Sequence, residues 1–167
     1  MELFSAYLEV MRETDLYPVI RQQWKGICVR MDAPSRPGIS DLVLVGSITV
    51  FAEIKLALTL REKLQVTAPQ FRFIQKVVRA GGYGCVLVYV RENRHWYMMD
   101  LAVLEREWPT VRAVMGCNLG TNLATLEASI RSIIPPNGYR QGIMSSDAID
   151  SAAYAVAPVS QEKGQLG

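Results

Sequence analysis

The sequence predicts an α/β fold: a central mixed β-sheet with helices on both faces and further helices toward the C-terminus. Three observations predict it. Residues 37–45 and 48–56 are largely apolar runs joined by Gly46-Ser47, a tight-turn signal, and read as a β-hairpin. Phe71, Ile74, Val77 and Val78 form one apolar stripe at helical spacing. Residues 85–90, Cys-Val-Leu-Val-Tyr-Val, are continuously apolar, as a central strand buried on both faces would be. A helix between two strands is the crossover that a parallel pair requires.

The elements follow in order. Residues 2–14 carry Phe4, Tyr7, Leu8 and Met11 on one side and Glu2, Glu9 and Glu13 on the other, an amphipathic helix. Residues 17–24 read as a strand with Pro18 near its start. Lys25-Gly26 turns the chain, and residues 27–31 are extended. The Pro/Gly-rich stretch 32–38 is a loop that delivers the chain to Asp41. Residues 56–66 are ambiguous: Leu56, Leu58, Leu60 and Leu64 either continue the strand or form a partner surface. Thr67 and Pro69 open the helix that carries the stripe, and Gly81 closes it. Residues 95–99 read as an edge strand, and helices are expected near 101–115 and 121–134. Beyond Pro135-Pro136-Asn137-Gly138 the chain is rich in Ser, Ala, Gly and Gln. Residues 1–139 are therefore assigned to one domain and 140–167 to a flexible or loosely docked tail.

Polar groups concentrate where the hairpin runs end. Glu53 and Lys55 are two residues apart, so a strand projects them on the same side. Pairing back across the hairpin brings Asp41 toward them. Two carboxylates and an ammonium at one sheet end suit a Mg²⁺ site, because this hard cation takes one or two carboxylates and keeps waters for substrate phosphate. Such an ion polarises phosphoryl oxygens and acidifies water, and a lysine beside it orients the nucleophile or offsets charge on the phosphate. An isolated Glu-x-Lys is more often an exposed ion pair on an edge strand; the preceding Gly38-x-x-Asp41 favours the functional reading.

With these motifs in place, the chain resembles the PD-(D/E)XK nuclease superfamily, and within it the VRR-NUC and Holliday-junction-resolvase-like group of viruses and microbes. Gly38-Ile39-Ser40-Asp41, Glu53-Ile54-Lys55 and Gln70 in Thr67-Ala68-Pro69-Gln70-Phe71 carry the resemblance, which covers about residues 1–92. Ser40 stands where the group usually has Pro. The resemblance implies a restriction-endonuclease-like core. It also implies a Mg²⁺- or Mn²⁺-dependent DNA endonuclease, acting on branched or processed DNA in replication, recombination or repair. Asp41 and Glu53 would be metal carboxylates, Lys55 the charged helper, and Gln70 a residue orienting a phosphate, a water or Lys55. The group often adds a Glu from the first helix. Glu2 is preferred for that role and Glu9 is its rival. The alternative is a non-catalytic DNA-binding or assembly protein that keeps the fold; the intact Asp, Glu and Lys argue for the enzyme.

Composition narrows the partners. With 167 residues, 50% hydrophobic and 20% charged, the chain can bury a core. Net charge is only +2, yet residues 55–79 hold Lys55, Arg61, Lys63, Arg72, Lys76 and Arg79 against Glu62 alone. A solvated helix face explains such a run as well as phosphate contact does. The DNA reading assigns Arg72 and Lys76 to phosphate contact, together with Arg36 in the loop. Three widely spaced cysteines and a single histidine exclude the usual zinc sites and a disulfide framework. His95 could shuttle protons, and Trp24 and Tyr83 could stack on bases, but a surface hairpin position for the first and core packing for the others are the commoner explanations. Free cysteines, the lack of a signal-like start and the lack of a bilayer-length apolar run suit cytoplasm, or host cytoplasm for a viral protein. The apolar 56–64 segment and the helices after 100 leave a homodimer open.

Overall fold

A computed structural model describes residues 11–31 and 40–133. Its centre is a six-stranded mixed sheet. The strands are β1 (Ile27–Arg30), β2 (Leu42–Val45), β3 (Thr49–Ala57), β5 (Tyr83–Val90), β6 (His95–Met99) and β8 (Cys117–Gly120), side by side in that order. Only β3 and β5 are parallel; the other neighbours are antiparallel. The short strands β4 (Leu64–Gln65) and β7 (Thr110–Val111) form a separate antiparallel ribbon. The helices are α1 (Leu16–Gln23), α2 (Ala68–Arg79), α3 (Leu101–Glu107) and α4 (Leu126–Ile133).

Strand alternation divides the core between the two faces of the sheet. Val50, Ala52 and Ile54 of β3, with Cys85 and Leu87 of β5, face α1 and α4, where Leu16, Ile20, Leu126 and Ile130 cover them. Val86, Val88 and Val90 of β5 face α2 and α3, beneath Phe71, Ile74, Val78, Leu101 and Leu104. Glu53 and Lys55 lie on this second face by the same period of two. The predicted α/β class, the hairpin, the crossover helix and the buried central strand are all present.

The hairpin follows the expected pairing, with Leu42 opposite Ala52 and Val45 opposite Thr49. Its tip is tied to α4: Glu127 accepts hydrogen bonds from the Ser47 amide (2.9 Å) and the Ser47 hydroxyl, and Arg131 donates to Ser47 Oγ at 3.0 Å. At Gly26 an added Cβ would lie 1.9 Å from the Val45 carbonyl oxygen, so only glycine lets the α1–β1 turn approach β2. Helix α2 ends as its glycine implies. Gly81 has φ +85°, its amide donates to Val78 O and that of Gly82 to Val77 O, which is the Schellman pattern.

Four expectations are corrected. Residues 17–23 are helical, not extended, and Trp24 is the C-cap. Leu16, Ile20 and Trp24 are spaced by four and all buried, and Pro18 is tolerated because it lies in the first turn. Strand β6 is not an edge, since β8 pairs outside it; among the described residues the edges are β1 and β8. The helix expected over 101–115 stops at Glu107. Pro109 disfavours helix in the residue before it, and the chain continues as β7 and a 3₁₀ turn, Ala113–Met115. The helix expected over 121–134 begins at Leu126, after β8. The ambiguous stretch divides: β3 runs on to Ala57, Leu58 is exposed and Leu64 is buried in β4. Of the first expected helix, residues 2–10 lie outside the described residues, and residues 13–15 form a 3₁₀ turn. The tail 140–167 also lies outside them.

Candidate active site

The sheet order places Asp41, Glu53, Lys55 and Gln70 together. Asp41 precedes β2, and its backbone carbonyl accepts from the Met31 amide at 2.8 Å. Its carboxylate turns toward β3, where Oδ2 accepts from the Ile54 amide at 2.9 Å. The side chain thus takes the place of a ladder carbonyl at the point where the hairpin pairing stops. Glu53 is nearly inaccessible, 2% exposed, because it faces α2 from an internal strand. Lys55, two residues on, places Nζ 3.2 Å from Glu53 Oε1.

Gln70 reaches the site from α2 and does two things there. It stands three residues after Thr67, the capping-box position, and its Oε1 accepts from the Thr67 amide at 2.9 Å. Its Nε2 donates to Glu53 Oε1. One amide therefore starts the helix and anchors the buried carboxylate. Among the described residues Glu53 Oε2 is buried with no hydrogen-bond partner. Burial first and nearby Asp41 second raise the Glu53 carboxyl from 4.5 to about 8, with Lys55 partly offsetting them. Without a cation, the acid is therefore mostly protonated at neutral pH.

Tyr17 and Glu13 border this site, Tyr17 in the stretch that reads as a strand and Glu13 on the polar side of the first expected helix. Arg30 lies over the Tyr17 ring at 4.4 Å. The Tyr17 hydroxyl is pushed up to about 12, first by burial and then by Asp41. Glu13 contributes to the same shift, and its 3₁₀ turn packs against β3. The spacing of Leu16, Ile20 and Trp24 was the signal for the helix that presents Tyr17. Arg72 is half-buried and Lys76 exposed on α2. Glu2, Glu9 and Arg36 lie outside the described residues. His95 sits at the start of β6, on the α2 side of the sheet. Trp24 is buried and donates to the Val45 carbonyl at 3.2 Å, and Tyr83 packs beside the core.

The donor set fits a hard divalent cation. Among the described residues no three His, Cys, Asp or Glu side chains form a metal-holding group. Asp41 and Glu53 are two carboxylates, which is what Mg²⁺ takes when waters and substrate phosphates complete its shell. The orphaned Glu53 Oε2 is a buried acceptor of the kind such an ion satisfies.

No family model matches this sequence, and no curated protein does. Among solved structures the chain is similar to Hjc, a Holliday junction resolvase of the archaeal hyperthermophile Archaeoglobus fulgidus. The TM-score is 0.51 at 19% identity, over 68% of this chain and 95% of that one. At that identity the likeness speaks to the fold: a mixed sheet with flanking helices, of the resolvase and restriction-endonuclease-like kind.

Proposed function

We propose that this chain is a Mg²⁺- or Mn²⁺-dependent DNA endonuclease of the PD-(D/E)XK superfamily, in the VRR-NUC and resolvase-like group. Its substrate is branched or processed DNA. The observation that carries the proposal is the pairing of Asp41 with a buried, half-satisfied Glu53 beside Lys55. A core that needed only stability would fill this place with an apolar side chain, since a buried carboxylate is costly unless its acceptors are satisfied.

In this reading Asp41 and Glu53 hold the ion. The chemistry it supplies is polarisation of the scissile phosphate and acidification of water. Lys55, 13% exposed, keeps a positive charge between Glu53 and the incoming phosphate, where it offsets charge that develops on the phosphoryl oxygens. Gln70 holds the Glu53 carboxylate in one orientation by donating to Oε1, which would leave Oε2 as the oxygen for the ion. Arg72 and Lys76 on α2 carry the flanking phosphates, with Arg36 from the loop. Glu2 and Glu9 stay candidates for a third carboxylate, and Glu13 joins them. A homodimer would use the apolar surface of Leu58, Val114 and Met115, which are exposed near one another where the Val114 amide donates to Leu60 O.

The test is cleavage of plasmid, single-stranded and four-way-junction DNA with defined metals. Mg²⁺ or Mn²⁺ should support cleavage. Ca²⁺ should support complex formation without it. Asp41→Asn, Glu53→Gln and Lys55→Ala should each lower cleavage by about two to three orders of magnitude. Near-wild-type turnover by purified Glu53→Gln protein would sink the assignment.

A further inference from the structure

The β4–β7 ribbon has a regular inner and outer face. Leu64 pairs with Val111 and Gln65 with Thr110. The Val66 amide donates to Pro109 O at 3.0 Å, so the same register continues one step, to Val66 opposite Pro109. Leu64, Val66, Val111 and Ala113 are buried in the core beneath α2 and α3. By alternation the outer face holds Lys63, Gln65, Thr110 and Arg112; Thr67 and Trp108 lie just beyond the paired residues, and all six are solvent-accessible. None of the six is acidic. The neighbouring acids are engaged elsewhere: Glu62 accepts from the Leu58 amide and Glu107 pairs with Arg106 at 2.9 Å.

The ribbon ends at the catalytic groups. Thr67 is the residue whose amide Gln70 caps, and Gln70 in turn donates to Glu53. Trp108, 37% exposed, stands at this end, with its inner side stacked on Phe71 at 5.6 Å and 27°. Phe71 directly follows Gln70. One side of the indole is thus fixed by packing while part of it stays open to solvent. Such a platform accepts a planar ring without first having to be ordered. An apolar partner protein is a poor match to this face, since cations and hydrogen-bonding side chains make up the rest of it.

We infer that the outer face of the β4–β7 ribbon is a single-strand path, with Trp108 stacking an unpaired nucleobase next to the scissile phosphate. Lys63 and Arg112 carry phosphates of the same strand. Aromatic stacking beside a basic track is the chemistry that holds unpaired strands with little sequence preference. The inference rests on the nuclease reading for the position of the cut. It deepens that reading by naming the substrate feature: unpaired bases at a fork, flap or gap, rather than continuous duplex.

The test uses intrinsic fluorescence of the full chain in Ca²⁺ with a dT oligonucleotide, so it does not depend on turnover. Trp24 is 8% and Trp96 0% exposed, so the quenchable signal belongs to Trp108. The dT strand should quench wild-type emission. Trp108→Ala should weaken dT binding about tenfold, as removing the platform for one stacked base does, and should weaken blunt-duplex binding by much less. Trp108→Phe keeps a ring on Phe71 and should recover most of the affinity. Lys63→Ala with Arg112→Ala should weaken dT binding and flatten its salt dependence without touching the Phe71 stack. Absent quenching, or equal weakening on dT and duplex in the Trp108→Ala protein, would overturn the single-strand path even if the protein cleaves DNA. Quenching with selective weakening, in a protein that cuts no DNA, would keep the path and sink the nuclease instead.

Discussion

Replacing Glu53 by Gln should stabilise the metal-free protein, and by an amount that grows with pH. Glu53 is 2% exposed, and its carboxyl is raised from 4.5 to about 8 by burial and by Asp41. A raised folded-state value means that the folded protein binds more protons than the unfolded chain between those two pH values. Stability is therefore greatest below pH 4.5, falls as pH rises through the window, and levels off above about 8. Each pH unit within the window costs about 1.4 kcal/mol, so the penalty is about 3 kcal/mol at pH 7 and approaches about 5 kcal/mol above pH 8. Gln cannot ionise, yet it keeps an oxygen for the Gln70 amide. Urea unfolding in chelator at pH 5, 7 and 9 measures the difference. The gap in favour of Glu53→Gln should widen by about 3 kcal/mol from pH 5 to 7, and added Mg²⁺ or Ca²⁺ should narrow it by stabilising only the wild type. A gap that stays constant with pH, or a wild type that is the more stable at pH 9 in chelator, would refute the account of Glu53 as a buried acid waiting for a cation.

Three other outcomes follow from the same geometry. Gln70→Ala should lower cleavage or metal affinity about 10- to 100-fold by freeing Glu53 to rotate, and metal titration separates this from weaker DNA binding. Arg72→Ala with Lys76→Ala should reduce the slope of log affinity against log salt by about 0.9 for each duplex phosphate that is no longer neutralised; an unchanged slope would move the DNA path toward Lys25, Arg30 and Arg36. Ile20→Ala should cost about 2–5 kcal/mol by thermal or chemical unfolding, since Ile20 is fully buried beneath the sheet on α1, whereas an outward-facing strand residue there would lose far less.

Local pattern alone was enough for the hairpin, the crossover helix, the buried β5 strand and the order of Asp41, Glu53, Lys55 and Gln70 along the chain. These features depend on short-range physics: the two-residue strand period, the Gly46-Ser47 turn, the Thr67-x-x-Gln70 cap and the glycine at 81 with positive φ. Where two local signals competed, the wrong one prevailed. The aromatic and β-branched residues of 17–24 suggested a strand despite Pro18, while Leu16, Ile20 and Trp24 bury together only as a helix against the sheet. Strand neighbours were equally out of reach, because β8 reaches the outside of β6 through contacts distant in sequence.

What the sequence determined by itself is therefore which residues carry charge and, for the elements with clear local signals, where they lie along the chain. Tertiary structure decided where those residues meet. It sank Glu53 into an internal strand and left one oxygen unpartnered. It swung Tyr17 and Glu13 toward the site from an unexpected helix and the turn before it, and it laid Trp108 on Phe71 beside Gln70. Burial, dielectric and the meeting of elements far apart in the chain are properties of the packed sheet and its helices, so no window of sequence contains them.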